Sequence, residues 1–259
     1  MSTKKNGREL APATLSEHDG VRYLHLGTPW VQGAMRLKKP AQLELEYVQR
    51  MMAWMLLRPS NELARGHAVQ LGLGAGSITR FTHGTMRMKT TAVEINPTVI
   101  AACRAFFRLP ADGVRLRVLC MDAQRWLDEE AEPGSVDVLC VDLYDHEAAG
   151  PVLDGEAFYR GCARVLADGG VMSVNLFGRH ASFARSARAL AAAFEGGTVL
   201  SMQPTREGNT VLLALKHAEP PGREELAARA QQIDTRFGLP ARKWLRMIRP
   251  LPDSVLARA

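Results

Sequence analysis

Leu71-Gly72-Leu73-Gly74-Ala75-Gly76-Ser77 closes a short apolar run that begins at Ala68, and it stands directly ahead of a helical pattern from Ser77 to Thr82. Glycine lets a chain leave a strand, turn sharply and enter a helix while keeping the helix N-terminus open to a ligand. Gly72, Gly74 and Gly76 are therefore candidate ligand-binding positions. The same spacing also serves tight strand-to-helix packing, so the ends of the neighbouring strands decide between the two readings.

Outward from this turn, short β-like runs alternate with helical ones. Strand-like runs cover Ala68 to Leu73, Thr90 to Ile95, Val114 to Cys120, Val136 to Val141 and Gly170 to Asn175. Helical spacing covers Pro97 to Phe107, Ala123 to Glu130, Glu156 to Leu166 and Ala181 to Phe194. Parallel neighbours need crossover connections, so this alternation predicts an α/β protein with a doubly wound, Rossmann-like, mostly parallel sheet. Two late runs, Gly197 to Gln203 and Asn209 to Leu215, predict an antiparallel pair at one sheet edge.

Four segments are expected: a disordered polar lead-in over 1–20, a small β-element and docking helix over 21–58, a nucleoside-binding catalytic domain over 59–217, and a helical tail over 218–259. The docking helix is read from Leu43, Tyr47, Met51, Trp54 and Met55, which recur at helical spacing. Met35, Met51, Met52 and Met55 are read as gap-fillers between that element and the sheet. Trp30 and Trp54 are either pocket walls or anchors.

The chain has 259 residues, 46% hydrophobic and 23% charged, which excludes a wholly disordered or collagen-like polymer. No apolar run reaches the roughly 18 residues of a membrane span, and the polar N-terminus lacks a secretory pattern, so a cytoplasmic address without membrane partners is expected. Cys103, Cys120, Cys140 and Cys162 show no paired spacing, so neither zinc nor a disulfide framework is expected. The net charge of +6 sets 26 Arg and 7 Lys against 27 Asp and Glu, and the basic residues are scattered along the chain, which argues against a nucleic-acid stripe.

Acids close the next three strands. Glu94 ends the second run, 18 positions beyond Gly76, where a carboxylate accepts the two hydroxyls of a ribose. Asp122, beside Ala123, ends the third and suits an adenine amino group. A nicotinamide fingerprint needs Gly or Ala where Ser77 stands, so an S-adenosyl ligand is favoured. The fourth run ends in Asp142-Leu143-Tyr144-Asp145-His146, whose paired carboxylates could hold an amine and take its proton. Asp142 also has a turn-capping reading, and Asp145 a helix-starting one; His146 is read as a solvated loop residue or a proton relay.

Together these stations resemble the spermidine synthase family of polyamine aminopropyltransferases, over about Val21 to Lys216. The resemblance rests on Trp30-Val31-Gln32, on Glu44-Leu45-Glu46-Tyr47-Val48-Gln49, on the glycine turn, on Glu94, Asp122 and the Asp142 to Asp145 loop, and on Gly150-Pro151 and Phe158-Tyr159. It implies a methyltransferase-type sheet, Gln32 at the donor, Tyr47 and Asp145 beside the reacting groups, and Asp142 as the base that activates an amine. The implied co-substrate is decarboxylated S-adenosylmethionine, with a small-molecule amine acceptor, no metal, and a homodimer. Ala75, Val48 and Arg206 depart from the family pattern: Ala75 removes a carboxylate from the turn, and Arg206 either walls the acceptor pocket and repels a diamine or faces solvent from a turn ending at Gly208. A methyltransferase using ordinary S-adenosylmethionine and a catalytically silent nucleoside-binding regulator are the alternatives.

Overall fold

The computed structural model describes residues 4–5, 8–144, 153–177, 180–252 and 255. A two-stranded ladder of β1 (Lys4–Lys5) and β2 (Arg8–Glu9) precedes a three-stranded antiparallel sheet of β3 (Ala13–His18), β4 (Val21–Leu26) and β5 (Gly33–Arg36). The lead-in is thus structured further toward the N-terminus than expected. Ala13 to His18 pair along the whole of β4. The Ala13 amide donates to Thr98 Oγ1 at 3.0 Å, and Asn96 Nδ2 donates to the Ala11 carbonyl at 2.8 Å. The strand shows only Ala13 and Leu15 as apolar positions, too few to reveal a period; its partners supply what its own sequence lacks.

The docking segment is α1 (Glu46–Met51), which tightens into a 3-10 turn over Met52–Leu56. The main sheet follows with β6 (His67–Leu71), α2 (Ser77–Arg80), β7 (Lys89–Glu94), α3 (Pro97–Phe106), β8 (Leu116–Cys120), α4 (Ala123–Glu129), β9 (Val136–Val141), α5 (Glu156–Val165), β10 (Leu166–Phe177) and α6 (His180–Ala193). It continues through β11 (Thr198–Met202), β12 (Asn209–Leu215), α7 (Arg223–Phe237), α8 (Ala241–Trp244) and β13 (Ile248–Pro250). The strand order is β13-β11-β12-β10-β9-β6-β7-β8, parallel from β10 to β8 and antiparallel elsewhere. The expected late pair exists, but β13 adds to β11, so the C-terminal tail supplies the edge of the sheet.

Alternation along the central strands assigns each face. Ala68, Val138 and Cys140 pack with α1, the 3-10 turn and α7, whereas Val69, Leu71, Leu139 and Val141 pack with α4, α5 and α6. Trp54, Met51, Met52 and Met55 are fully buried in the first layer, while Met35 belongs to a third cluster where β4 and β5 meet α3. Trp54 is therefore an anchor. The chain runs outward from β6 through β7 to β8, then returns to lay β9 on the other side of β6. This reversal opens a crevice at the carboxyl ends of the strands, where α/β sheets bind ligands.

Candidate functional site

A cavity of about 650 Å³ occupies that crevice, roofed by the N-terminal sheet and α1. Gln32, Tyr47, Gly72, Gly74, Glu94, Asp122, Ala123 and Asp142 all line it. Gly76 and Ala75 do not line it. Gly76 is left-handed, with φ +70°, and faces Arg80, Leu109 and Leu73, so its glycine is required by backbone and packing. Asp145, His146, Gly150 and Pro151 lie outside the described residues. Phe158 and Tyr159 are buried core residues whose rings pack at 5.6 Å.

The glycine turn is held from beneath. Gln70 Nε2 donates to the Gly72 carbonyl at 2.6 Å, and Thr79 Oγ1 donates to Gln70 Oε1 at 2.5 Å. The Cys103 thiol donates to the Gly74 carbonyl at 3.1 Å. Arg80 is buried; its guanidinium donates to the carbonyls of Ala75 and Pro40 and to Ser77 Oγ. Burial lowers its pKa to about 10, so it stays charged at neutral pH. From above, the N-terminal sheet touches the turn directly: a Cβ on Gly33 would lie 2.6 Å from that of Ala75, and Ser77 Oγ donates to the Ala34 carbonyl at 3.0 Å. Ala75 thus fills a contact between the two sheets.

Glu94 ends β7 and accepts the Leu73 amide on Oε2 at 2.9 Å and the Asn96 amide on Oε1 at 2.8 Å. Burial raises its pKa, and these backbone donors partly oppose the rise. The carboxylate retains acceptor capacity beyond these backbone donors for a ligand hydroxyl. Asp122 caps α4 through Oδ1, which accepts the Arg125 amide at 3.0 Å, and still reaches the cavity.

Asp142 stands at the end of β9, beside the point where the strand order reverses. Its Oδ2 accepts from the Tyr47 hydroxyl at 3.2 Å and its Oδ1 from Asn175 Nδ2 at 2.9 Å. Burial raises its pKa, and the bonds from Asn175 and Tyr47 work in the opposite direction. Tyr47 is pushed well above its ordinary value, chiefly by burial and then by the Asp142 charge, so it remains a neutral donor. A carboxylate with raised proton affinity, held by two donors at a cavity wall, is suited to accept a proton.

Three further residues were not singled out from the sequence. Asn175, near the carboxyl end of β10, carries a signal related to that of Glu94, a buried polar residue in an apolar strand close to the ligand edge. Glu207, from the turn between β11 and β12, and Asn209, which opens β12, have no such signal. That turn also decides Arg206: the Thr205 amide donates to the Asn209 carbonyl at 2.8 Å, Arg206 is exposed and absent from the cavity wall, and Glu207 lines it instead. Val48 is buried in the core beneath α1 and does not face the cavity. Trp30, 57% exposed, forms part of the rim.

The cavity lining combines apolar walls with six carboxylates, Glu44, Glu46, Glu94, Asp122, Asp142 and Glu207, and no Lys, Arg or His among the described residues. Arg36 pairs with Glu44 at 2.5 Å and Arg50 with Glu46 at 2.6 Å, both from outside the lining. Glu207 has no basic partner among the described residues.

The family described as methyltransferase domain matches residues 69–174. A polyamine aminopropyltransferase of Neisseria meningitidis serogroup A is 31% identical over 227 residues, covering 87% of this chain and 84% of its own length. A probable spermidine synthase from Corynebacterium glutamicum superposes with a TM-score of 0.70 at 22% identity, over 88% of this chain and 85% of that one. Human methyltransferase-like protein 13 in complex with SAH superposes with a TM-score of 0.64 at 24% identity, over 82% and 97%. The fold is the methyltransferase-type Rossmann-like fold.

Proposed function

We propose that this chain, which belongs to the polyamine aminopropyltransferase family, transfers an aminopropyl group from decarboxylated S-adenosylmethionine to an amine nitrogen of a small polyamine. The observation that carries this reading is the charge of the cavity. In a chain of net charge +6, the described lining holds no cation and six carboxylates, of which Glu94, Asp122, Asp142 and Glu207 have no arginine partner among the described residues while Glu44 and Glu46 pair with Arg36 and Arg50 from outside it. Such a wall attracts amines and repels acids.

In this reading Glu94 accepts the ribose hydroxyls and Asp122 the adenine amino group, with Gly72 and Gly74 allowing close backbone approach and Gln32 and Ala123 completing the nucleoside wall. The amine lone pair attacks the propyl carbon bonded to the sulfonium. A C–N bond forms as the C–S bond breaks, the bonding pair goes to sulfur, and methylthioadenosine leaves. The excess proton on nitrogen passes to Asp142, whose orientation is held by Tyr47 and Asn175. Alignment in a walled cavity contributes the larger share of the acceleration, and proton removal about two to four orders of magnitude. The far amine of the acceptor finds its counter-charge at Glu207.

A second reading, methyl transfer from ordinary S-adenosylmethionine, is supported by the methyltransferase-domain match. It requires the donor carboxylate to enter a lining without a described cation, which is unfavourable. The test is incubation of the purified chain with putrescine, cadaverine or spermidine and either donor, with products read by mass spectrometry. Aminopropylated amine plus methylthioadenosine is the expected result. Methylated product from the carboxylated donor would transfer the assignment to the second reading, and tight nucleoside binding without turnover would leave a silent binding protein.

A further inference from the structure

The Asp142 carboxylate is one end of a longer polar chain. Asn175 is 3% exposed, and its Nδ2 donates to Asp142 Oδ1 at 2.9 Å. Its Oδ1 accepts from Asn209 Nδ2 at 3.2 Å. Asn209 opens β12, opposite Phe177 of β10 in register, and its amide donates to Thr205 Oγ1 at 3.2 Å. The Gly208 amide donates to the Thr205 carbonyl at 3.1 Å, so the turn carrying Asn209 is itself fixed.

The polarity of this chain has one consistent direction. An ionised carboxylate only accepts, so Asn175 presents its NH2 to Asp142. Its oxygen is then directed at Asn209, which in turn presents its NH2. With the Asn209 amide in the orientation observed, flipping the Asn175 amide would set oxygen against oxygen at one end and NH2 against NH2 at the other. Asn209 has no direct bond to Asp142, yet it makes the flipped state costly. We propose that Asn209 is a positioning residue that acts through Asn175 to keep an N–H donor on Asp142 Oδ1, and thereby sets the proton affinity of that carboxylate from the β11–β12 turn.

Among the described residues, the groups acting on Asp142 are few. Tyr47 from α1, Tyr144 after β9 and Cys140 within β9 are all shifted upward by burial and are neutral in the working range. The charged cavity residues Glu44, Glu46, Glu94, Asp122 and Glu207 are the same in wild type and in every variant of the test. The Tyr144 hydroxyl donates to the Asn175 carbonyl at 2.8 Å, which fixes the backbone and leaves the side-chain amide free to turn. The kinetic consequence rests on the proposed role of Asp142 as base; the effect on proton affinity does not.

The test is a double-mutant cycle read by 13C NMR titration of the Asp142 carboxyl, assigned with Asp142→Asn, in the methylthioadenosine-bound protein. Asn209→Ala is expected to raise the proton affinity of Asp142 about threefold in the wild-type background and to change nothing further beside Asn175→Ala. Equal effects in both backgrounds, or none in a folded Asn209→Ala, would overturn the relay. Should Asn209→Ala not fold, the isosteric Asn209→Asp is used in the same cycle, where subtraction removes its through-space charge. A wild type without aminopropyl transfer but with the expected coupling would overturn the proposed reaction and leave the relay standing. An active wild type without coupling would do the reverse.

Discussion

The backbone carbonyl of Asp142 occupies the space that a side chain on Gly72 would fill, with Gly72 at φ +84°. The Asp142 amide donates to the Leu71 carbonyl at 2.9 Å, and the Gly72 amide to the Val93 carbonyl at 2.9 Å. The glycine turn and the proposed base are thus in direct backbone contact across the reversal of strand order. Gly72→Ala is expected to destabilise the protein by at least about 1–2 kcal/mol from the left-handed conformation alone, and to displace Asp142 as well. A thermal melt and a methylthioadenosine titration check this; wild-type values for both would refute it.

Asp142→Asn is expected to keep nucleoside affinity and lose roughly two to four orders of magnitude in turnover. An asparagine there can still accept from Tyr47 or from Asn175, so the shape survives without the proton acceptor. Normal turnover in the folded variant would return Asp142 to a turn-capping role.

The pH dependence comes from the raised affinity of Asp142 for its proton. Burial, the leading cause, places the folded pKa above the unfolded one. The native state therefore holds this proton more tightly, and the corresponding stability is complete below the ordinary carboxylate pKa and lost as pH rises through the folded value. Glu94 has the same sign. Wild-type stability measured by denaturant unfolding is expected to fall over this window, with a smaller fall in Asp142→Asn. The acidic limb of kcat/KM is expected above the usual carboxylate range; an identical stability slope in the two proteins would contradict the assignment.

Glu94→Gln tests the nucleoside wall. The variant turns an NH2 toward one of two backbone donors, at Leu73 or Asn96, and is expected to cost about 1–3 kcal/mol. Methylthioadenosine affinity is expected to fall roughly tenfold or more. Calorimetry on the folded variant gives the comparison, and unchanged affinity would remove Glu94 from the ligand.

Glu207 and Arg206 are adjacent, yet opposite outcomes are expected. Glu207→Gln leaves a far ammonium without its counter-charge and is expected to raise the KM for a diamine about tenfold, with kcat little changed. Arg206→Tyr is expected to leave the acceptor profile unchanged, because Arg206 is exposed outside the cavity wall. Steady-state kinetics across mono-, di- and triamines separate the two; a profile altered by Arg206→Tyr alone would reverse the placement.

The periodicity of the apolar runs determined the parallel centre of the sheet, because strands buried on both faces and helices buried on one leave different patterns in the chain. The glycine turn and the acids Glu94, Asp122 and Asp142 were legible for a related reason: a polar residue closing an apolar strand lies at the sheet's ligand edge wherever the strand is parallel. The strand at Ala13 to His18 was not legible, since its stability comes from β4 and α3 and not from its own pattern. Nor was the contribution of the turn after β11, whose Arg206 and Glu207 are both exposed while Glu207 alone of the two reaches the cavity lining. Only tertiary structure joined Asn209 to Asp142, through Asn175, because hydrogen bonds between strands distant in sequence depend on register and distance. The sequence carries the net charge of +6, but where that charge is excluded depends on which side chains the fold turns toward the cavity.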